Sequence, residues 1–88
     1  MNIKNVYIFL FNRFSDWEIS YLAPELVQSE NINLKYFSID GLEIISMGGL
    51  KIIPDLSILE LEFNTVSALI LPGGGAGKKS PLKVWIAL

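Results

Sequence analysis

The chain has 88 residues, enough for at most one small domain, and 51% of them are hydrophobic, which excludes intrinsic disorder. Seven basic and nine acidic side chains give a net charge of −2, so we expect no nucleic-acid partner. The sequence contains neither cysteine nor histidine, which excludes disulfides, thiolate nucleophiles, Cys/His zinc sites and imidazole-based triads within it.

The first elements in chain order are a strand and a helix. Val6–Phe11 is an unbroken apolar run, typical of a strand buried on both faces of a parallel sheet. Ser15 and Glu18 fit the S-x-x-E capping box, and apolar residues recur at three- and four-residue spacing to Glu30. This pattern predicts a helix over Asp16–Glu30, with a kink at Pro24 because proline lacks the amide hydrogen.

A second strand and a hairpin follow. Leu34–Ile39 is predicted to be a strand, and Asp40-Gly41 is a tight-turn dipeptide. Leu42–Ser46 and Leu50–Ile53 flank Met47-Gly48-Gly49, which predicts a small hairpin.

The last predicted elements are a helical turn and a third buried strand. Ser57–Glu62 favours a short helical turn, although its apolar residues define no single face. Thr65–Leu71 is predicted to be a buried strand with an exposed edge, ended by proline and glycines from Pro72.

These elements predict an α/β fold with a parallel sheet, a small β-hairpin and right-handed crossovers. One helix cannot cover both faces of such a sheet, so we expect that either a partner chain or the rest of the domain completes it. Residues 1–62 carry four basic and nine acidic side chains, whereas residues 63–88 carry three lysines and no acid. The sequence ends on the apolar run Val84–Leu88, so we expect residues 76–88 to be a divergent segment from truncation or an altered reading frame.

No segment predicts a secretory signal or a membrane span. The first apolar run follows a single lysine and lacks a small-residue cleavage site. The longest uncharged stretch, Phe63–Gly77, contains polar residues, a proline and four glycines, whereas a span needs about 20 mostly apolar residues. We therefore expect a cytoplasmic protein with no membrane partner.

The glycine-rich segment Pro72–Ser80 superficially resembles a phosphate-binding loop. A P-loop needs G-x-x-x-x-G-K-[ST], but here only three residues separate Gly73 from Gly77, and Lys79 stands where the hydroxyl belongs. Nucleotide or phosphate binding through Gly73–Lys79 is therefore a minor alternative, and a flexible exit from the strand is the commoner interpretation.

Glu18 has two interpretations. As a capping-box residue it would accept the Ser15 amide, which spacing alone favours. As a functional acid it would project into the cleft at the carboxyl ends of the strands, where glycine amides could stabilise an oxyanion. Asp16 would add a second carboxylate favoured by the helix dipole.

Three motifs together resemble a known family: F-S-D-W-E at Phe14–Glu18, P-D at Pro54-Asp55, and A-L-I-L-P-G-G-G at Ala68–Gly75. They resemble the first half of the PfpI-like proteins of the class I glutamine amidotransferase-like superfamily, which implies that residues 1–75 are the N-terminal half of such a domain. The resemblance implies a flavodoxin-like sheet layered with helices, with Val6–Phe11 between Leu34–Ile39 and Thr65–Leu71.

The resemblance also implies a site. Family members use a cysteine on a strand-to-helix elbow for protease, amidase, deglycase or glyoxalase-type reactions on peptides or small molecules. Glu18 matches the glutamate that holds the thiol, and Gly73 and Gly74 match the oxyanion-hole amides, chiefly the Gly74 amide. No cysteine is present to take the nucleophile's role, and no cofactor or metal is implied.

The leading hypothesis is therefore a truncated PfpI-like domain without catalytic activity of its own. A second hypothesis is a self-associating structural or regulatory module, in which an uncovered sheet face or the Thr65–Leu71 edge pairs with another copy. The nucleotide-binding domain is the third.

Overall fold

The computed structural model describes residues 3–74 and 83–86. Within these ranges the chain forms seven strands, one α-helix and two short 3-10 helices. In order they are β1 (Lys4–Phe9), α1 (Asp16–Val27), β2 (Ile32–Ser38), β3 (Ile44–Ile45), β4 (Lys51–Ile52), β5 (Leu56–Ser57), 3-10 helices Ile58–Glu60 and Phe63–Thr65, β6 (Ala68–Leu71) and β7 (Lys83–Ile86).

The main sheet has the strand order β5-β2-β1-β6-β7. β1 is central and parallel to both neighbours, with Val6 opposite Leu34 of β2 and opposite Ala68 of β6. The predicted placement of the first apolar run between the other two strands is therefore confirmed. β7 pairs antiparallel with β6, Ala68 facing Ile86, so the expectation of an exposed edge at Thr65–Leu71 is wrong.

The helix begins where the sequence predicts but ends at Val27, three residues before Glu30. Pro24 lies inside it on the exposed side, and its carbonyl still accepts the Gln28 amide at 3.2 Å. The helix therefore continues for a turn beyond the proline. In the described ranges no helix is long and apolar enough to span a bilayer.

The predicted hairpin is confirmed as β3 and β4, with Ile44 opposite Ile52. The predicted helical turn is the 3-10 helix Ile58–Glu60. The third strand, in contrast, begins at Ala68 rather than Thr65, because both the amide and the hydroxyl of Thr65 donate to the Glu62 carbonyl and close a 3-10 turn.

The two faces of the sheet are covered differently. Alternate residues of β1 face α1, and their cluster holds the buried side chains Val6, Ile8, Leu10, Phe14, Ile44 and Ile70. On the opposite face, Phe37, Leu61 and Val66 form a smaller buried cluster, against which Tyr7 and Phe9 pack. Leu61 and Val66 belong to the segment 58–66, so this segment covers the second face where the sequence offers no second helix.

Candidate functional site

The candidate site lies at the carboxyl edge of the parallel strands. β1 leads there into a loop that is exposed at Asn12 and Arg13 and buried at its end, Phe14 and Ser15, and β6 leads into the turn Pro72–Gly74. Because β1 and β6 are parallel neighbours, both connections leave the sheet at this edge. Open α/β sheets bind their ligands in this position.

Three backbone segments run side by side at this edge. The Ser15 amide donates to the Gly73 carbonyl at 2.8 Å, and Phe14 forms an antiparallel bridge with Gly74. On the other side of the loop, the Met47 amide donates to the Phe14 carbonyl at 2.9 Å. The strand-to-helix loop is therefore held between the hairpin and the glycine turn.

Glu18 contacts the glycine turn directly. The Gly73 amide donates to Glu18 Oε1 at 2.8 Å. The capping-box interpretation is wrong, because the Ser15 amide is already bound to the Gly73 carbonyl and Ser15 makes no side-chain cap. Glu18 instead contacts the glycine turn at the carboxyl edge of the strands, and its role as a functional acid stays a prediction.

Gly74 occupies a position that requires glycine. Its φ is +152°, and a Cβ there would collide with the Arg13 carbonyl oxygen and lie 2.8 Å from Phe14 Cα. The Gly74 amide has no acceptor among the residues that the structure describes. The Gly73 amide, in contrast, is bound by Glu18.

The Asp16 carboxylate binds the hairpin as well as its own backbone amide. Its Oδ2 accepts a hydrogen bond from Ser46 Oγ at 2.5 Å, and its Oδ1 accepts the Gly48 amide at 2.8 Å. Partial burial raises the pKa of Asp16, but the hydrogen bonds from Ser46, Gly48 and its own amide outweigh that effect and lower the pKa below its ordinary value. The helix dipole suggests a carboxylate at this position, but the sequence offers no sign of the contact with Ser46.

Asp55 of the P-D motif lies away from this edge. Its amide donates to the Tyr36 carbonyl, and its Oδ2 accepts the Tyr36 amide at 2.8 Å, so it extends the pairing of β5 with β2. Burial, together with the Asp55 charge, raises the pKa of Tyr36. Asp55 therefore has a structural role.

Two other kinds of site concern a metal ion and a nucleotide. Among the described residues, no group of three or more potential metal ligands is close enough to hold an ion. The predicted nucleotide loop Gly73–Lys79 falls outside the described residues from Gly75 onward.

Four parallel strands with α1 on one face and an antiparallel β7 at the edge resemble part of a flavodoxin-like α/β domain, and the glycine turn lies beside Glu18 at its carboxyl edge. The chain belongs to the DJ-1/PfpI family, whose sequence profile matches residues 4–84. The resemblance to PfpI-like proteins inferred from the sequence motifs is thus confirmed.

Similar proteins agree on the fold. The chain resembles the crystal structure of the DJ-1 superfamily protein Atu0886 from Agrobacterium tumefaciens, with a TM-score of 0.75 and 35% identity over 82% of this chain and 38% of that one. It also resembles a ThiJ/PfpI family protein from Bacillus anthracis, with a TM-score of 0.72 and 32% identity over 86% of this chain and 39% of that one.

Among curated proteins, the chain is 35% identical to YoaZ of Bacillus subtilis (strain 168), named an uncharacterized protease, over 84% of this chain and 39% of that protein. The chain therefore spans less than two-fifths of the length of these relatives.

Proposed function

We propose that this chain supplies the acid and main-chain amide groups of a DJ-1/PfpI-type hydrolase site and has no hydrolytic activity of its own. The observation that carries this proposal is the 2.8 Å hydrogen bond between Glu18 and the Gly73 amide in a chain without cysteine. In this interpretation Glu18 is the acid partner of a nucleophile that the chain lacks.

The chemistry follows from the groups present. A carboxylate beside a nucleophile can orient it and accept its proton, and a main-chain amide such as that of Gly74 can stabilise the oxyanion. Such groups act as a unit, so most of their effect is lost without the attacking atom. The chain's serines have no imidazole base and none lies in a G-x-S-x-G elbow. The protease name of the Bacillus subtilis relative supports peptides as the substrate class.

Assays of the purified 88-residue chain on peptides, dicarbonyls and glycated thiols test this proposal. We expect no turnover above buffer for the wild type, for Glu18→Gln, or for the control Glu25→Gln on the exposed side of α1. Equal turnover in all three proteins that persists at constant specific activity through further purification would also contradict the proposed inactivity. Turnover that Glu18→Gln abolishes and Glu25→Gln retains would overturn it.

Self-association is a second candidate function, and the surface that supports it is the segment 39–53 rather than the edge Thr65–Leu71, which β7 covers. Residues 39–53 expose six large apolar side chains, to between 37% and 75% of their surface: Ile39, Leu42, Ile45, Met47, Leu50 and Ile53. Exposed apolar patches are typical of interaction sites. Glu43 and Lys51 carry opposite charges in the same segment, so a two-fold arrangement can place each against its counterpart in a second copy.

Sedimentation velocity over a range of concentrations tests this association. We expect the wild type to associate and Leu50→Gln to weaken association, while Leu59→Gln, altered at a 92% exposed residue outside the patch, behaves as wild type. A monomer at every concentration, or equal effects of the two substitutions, would contradict this function.

A further inference from the structure

We propose that Asp16 and Ser46 are positioning residues for Glu18: their contact fixes the first turn of α1 against the hairpin and so holds the Glu18 carboxylate on the glycine turn. This inference rests on the proposed role of Glu18. Asp16 and Glu18 both lie in the first helical turn, two residues apart, yet they bind different neighbours. Asp16 binds the hairpin tip, and Glu18 binds the Gly73 amide.

The hairpin end of this connection is tightly packed. Ser46 is only 3% exposed, and its Oγ donates to Asp16 while accepting the Leu50 amide at 2.9 Å. At Gly48 a Cβ would lie 2.9 Å from Asp16 Oδ2, so the carboxylate rests directly on the backbone of the tip. These contacts leave Asp16 little freedom to move relative to the hairpin.

The helix start depends on these outside contacts. Ser15 makes no side-chain cap, so the first turn lacks the usual local anchor. Asp16 on the hairpin and Glu18 on the glycine turn add side-chain anchors there to the backbone bonds that Phe14 makes with Met47 and Ser15 makes with Gly73. Loss of the Asp16 anchor should therefore let the first turn shift and lengthen the contact between Glu18 and Gly73.

Nuclear magnetic resonance on the full 88-residue chain tests this coupling without any need for turnover. We expect Ser46→Ala and Asp16→Asn to shift the Gly73 amide resonance and to reduce its protection from hydrogen exchange about tenfold, as for a weakened charge-assisted hydrogen bond. Ser46→Thr keeps the hydroxyl and should retain both the wild-type Gly73 amide resonance and its protection from exchange.

The matched control is Ser57→Ala, which alters a serine that contacts a glutamate, Glu60, away from α1. This substitution should leave the Gly73 amide resonance unchanged even if it lowers the free energy of unfolding. If Ser46→Ala does not fold, Gly48→Ala provides the second variant, because its Cβ displaces the Asp16 carboxylate at an exposed position.

An unchanged Gly73 resonance in folded Ser46→Ala, Asp16→Asn or Gly48→Ala would overturn the positioning role. That result would say nothing against the proposed function, whose own test is turnover. Conversely, turnover dependent on Glu18 would refute the proposed inactivity while the resonance data still decided the coupling.

Discussion

At the scale of single residues, Gly74 places the tightest steric demand on the site. Its Cα lies so close to the strand-to-helix loop that a Cβ would collide with backbone atoms of Arg13 and Phe14, which cannot rotate away. Gly49, at the hairpin turn, also has a positive φ, +88°, but a Cβ there meets nothing within 4 Å. Substituting alanine at each glycine therefore distinguishes two contributions to the loss of stability: steric collision together with backbone strain at Gly74, and backbone strain alone at Gly49.

We expect Gly74→Ala to lower the free energy of unfolding by about 2–3 kcal/mol, since it combines backbone strain with a backbone collision. Gly49→Ala should cost about 1 kcal/mol from conformation alone. Urea unfolding of both variants measures the difference. Equal losses would mean that the glycine turn does not press on the loop as the structure shows.

Glu18 illustrates why a local pattern does not determine a contact. The pattern S-x-x-E occurs at Ser15–Glu18 and again at Ser57–Glu60. At the second position the Glu60 carboxylate does accept the Ser57 amide, at 3.0 Å. At the first, the Gly73 carbonyl takes the Ser15 amide, and Glu18 binds the Gly73 amide instead. The deciding partner lies 55 residues from Glu18, beyond what local spacing can indicate.

At the scale of elements, those that carry a sequence pattern of their own are predictable, and those that depend on a distant partner are not. The apolar run Val6–Phe11 predicts the central strand, although the strand itself is Lys4–Phe9, and the glycine pair Gly48-Gly49 predicts the hairpin despite its two-residue strands. β5 has two residues, too few for any periodicity. β7 pairs antiparallel with β6 and so covers the edge that the sequence of Thr65–Leu71 predicts to be exposed.

The contact between α1 and the hairpin should make stability depend on pH. The lowered pKa of Asp16 means that the unfolded chain takes up this proton at higher pH than the folded chain. Its stabilising contribution is therefore fully present above about pH 4 and is lost as the pH falls through the folded pKa.

Urea unfolding of the wild type and Asp16→Asn between pH 6 and pH 3 measures this contribution. We expect the wild type to be more stable near pH 6 and the difference to shrink towards pH 3. In a Ser46→Ala background the pH dependence of that difference should be weaker, because one of the hydrogen bonds that lower the pKa is gone. A difference that stays constant with pH would contradict this account.

At the scale of the whole molecule, the main question is how a sheet with one helix protects its second face. Phe9 and Phe37 pack there with ring centroids 5.3 Å apart, and the segment 58–66 covers them with Leu61 and Val66. Small domains are stabilised by only about 0.05–0.15 kcal/mol per residue, so this thin layer can contribute a large share of the total.

Two leucines in that segment test whether the second face is part of the core. Leu61 is 6% exposed and Leu59 is 92% exposed, although they are two residues apart. We expect Leu61→Ala to lower the free energy of unfolding by about 2–4 kcal/mol, as for other buried leucines, and Leu59→Ala to change it by less than about 0.5 kcal/mol. Chemical denaturation of both variants decides the matter: similar small losses would mean that the segment lies loosely on the sheet and that α1 alone encloses the core.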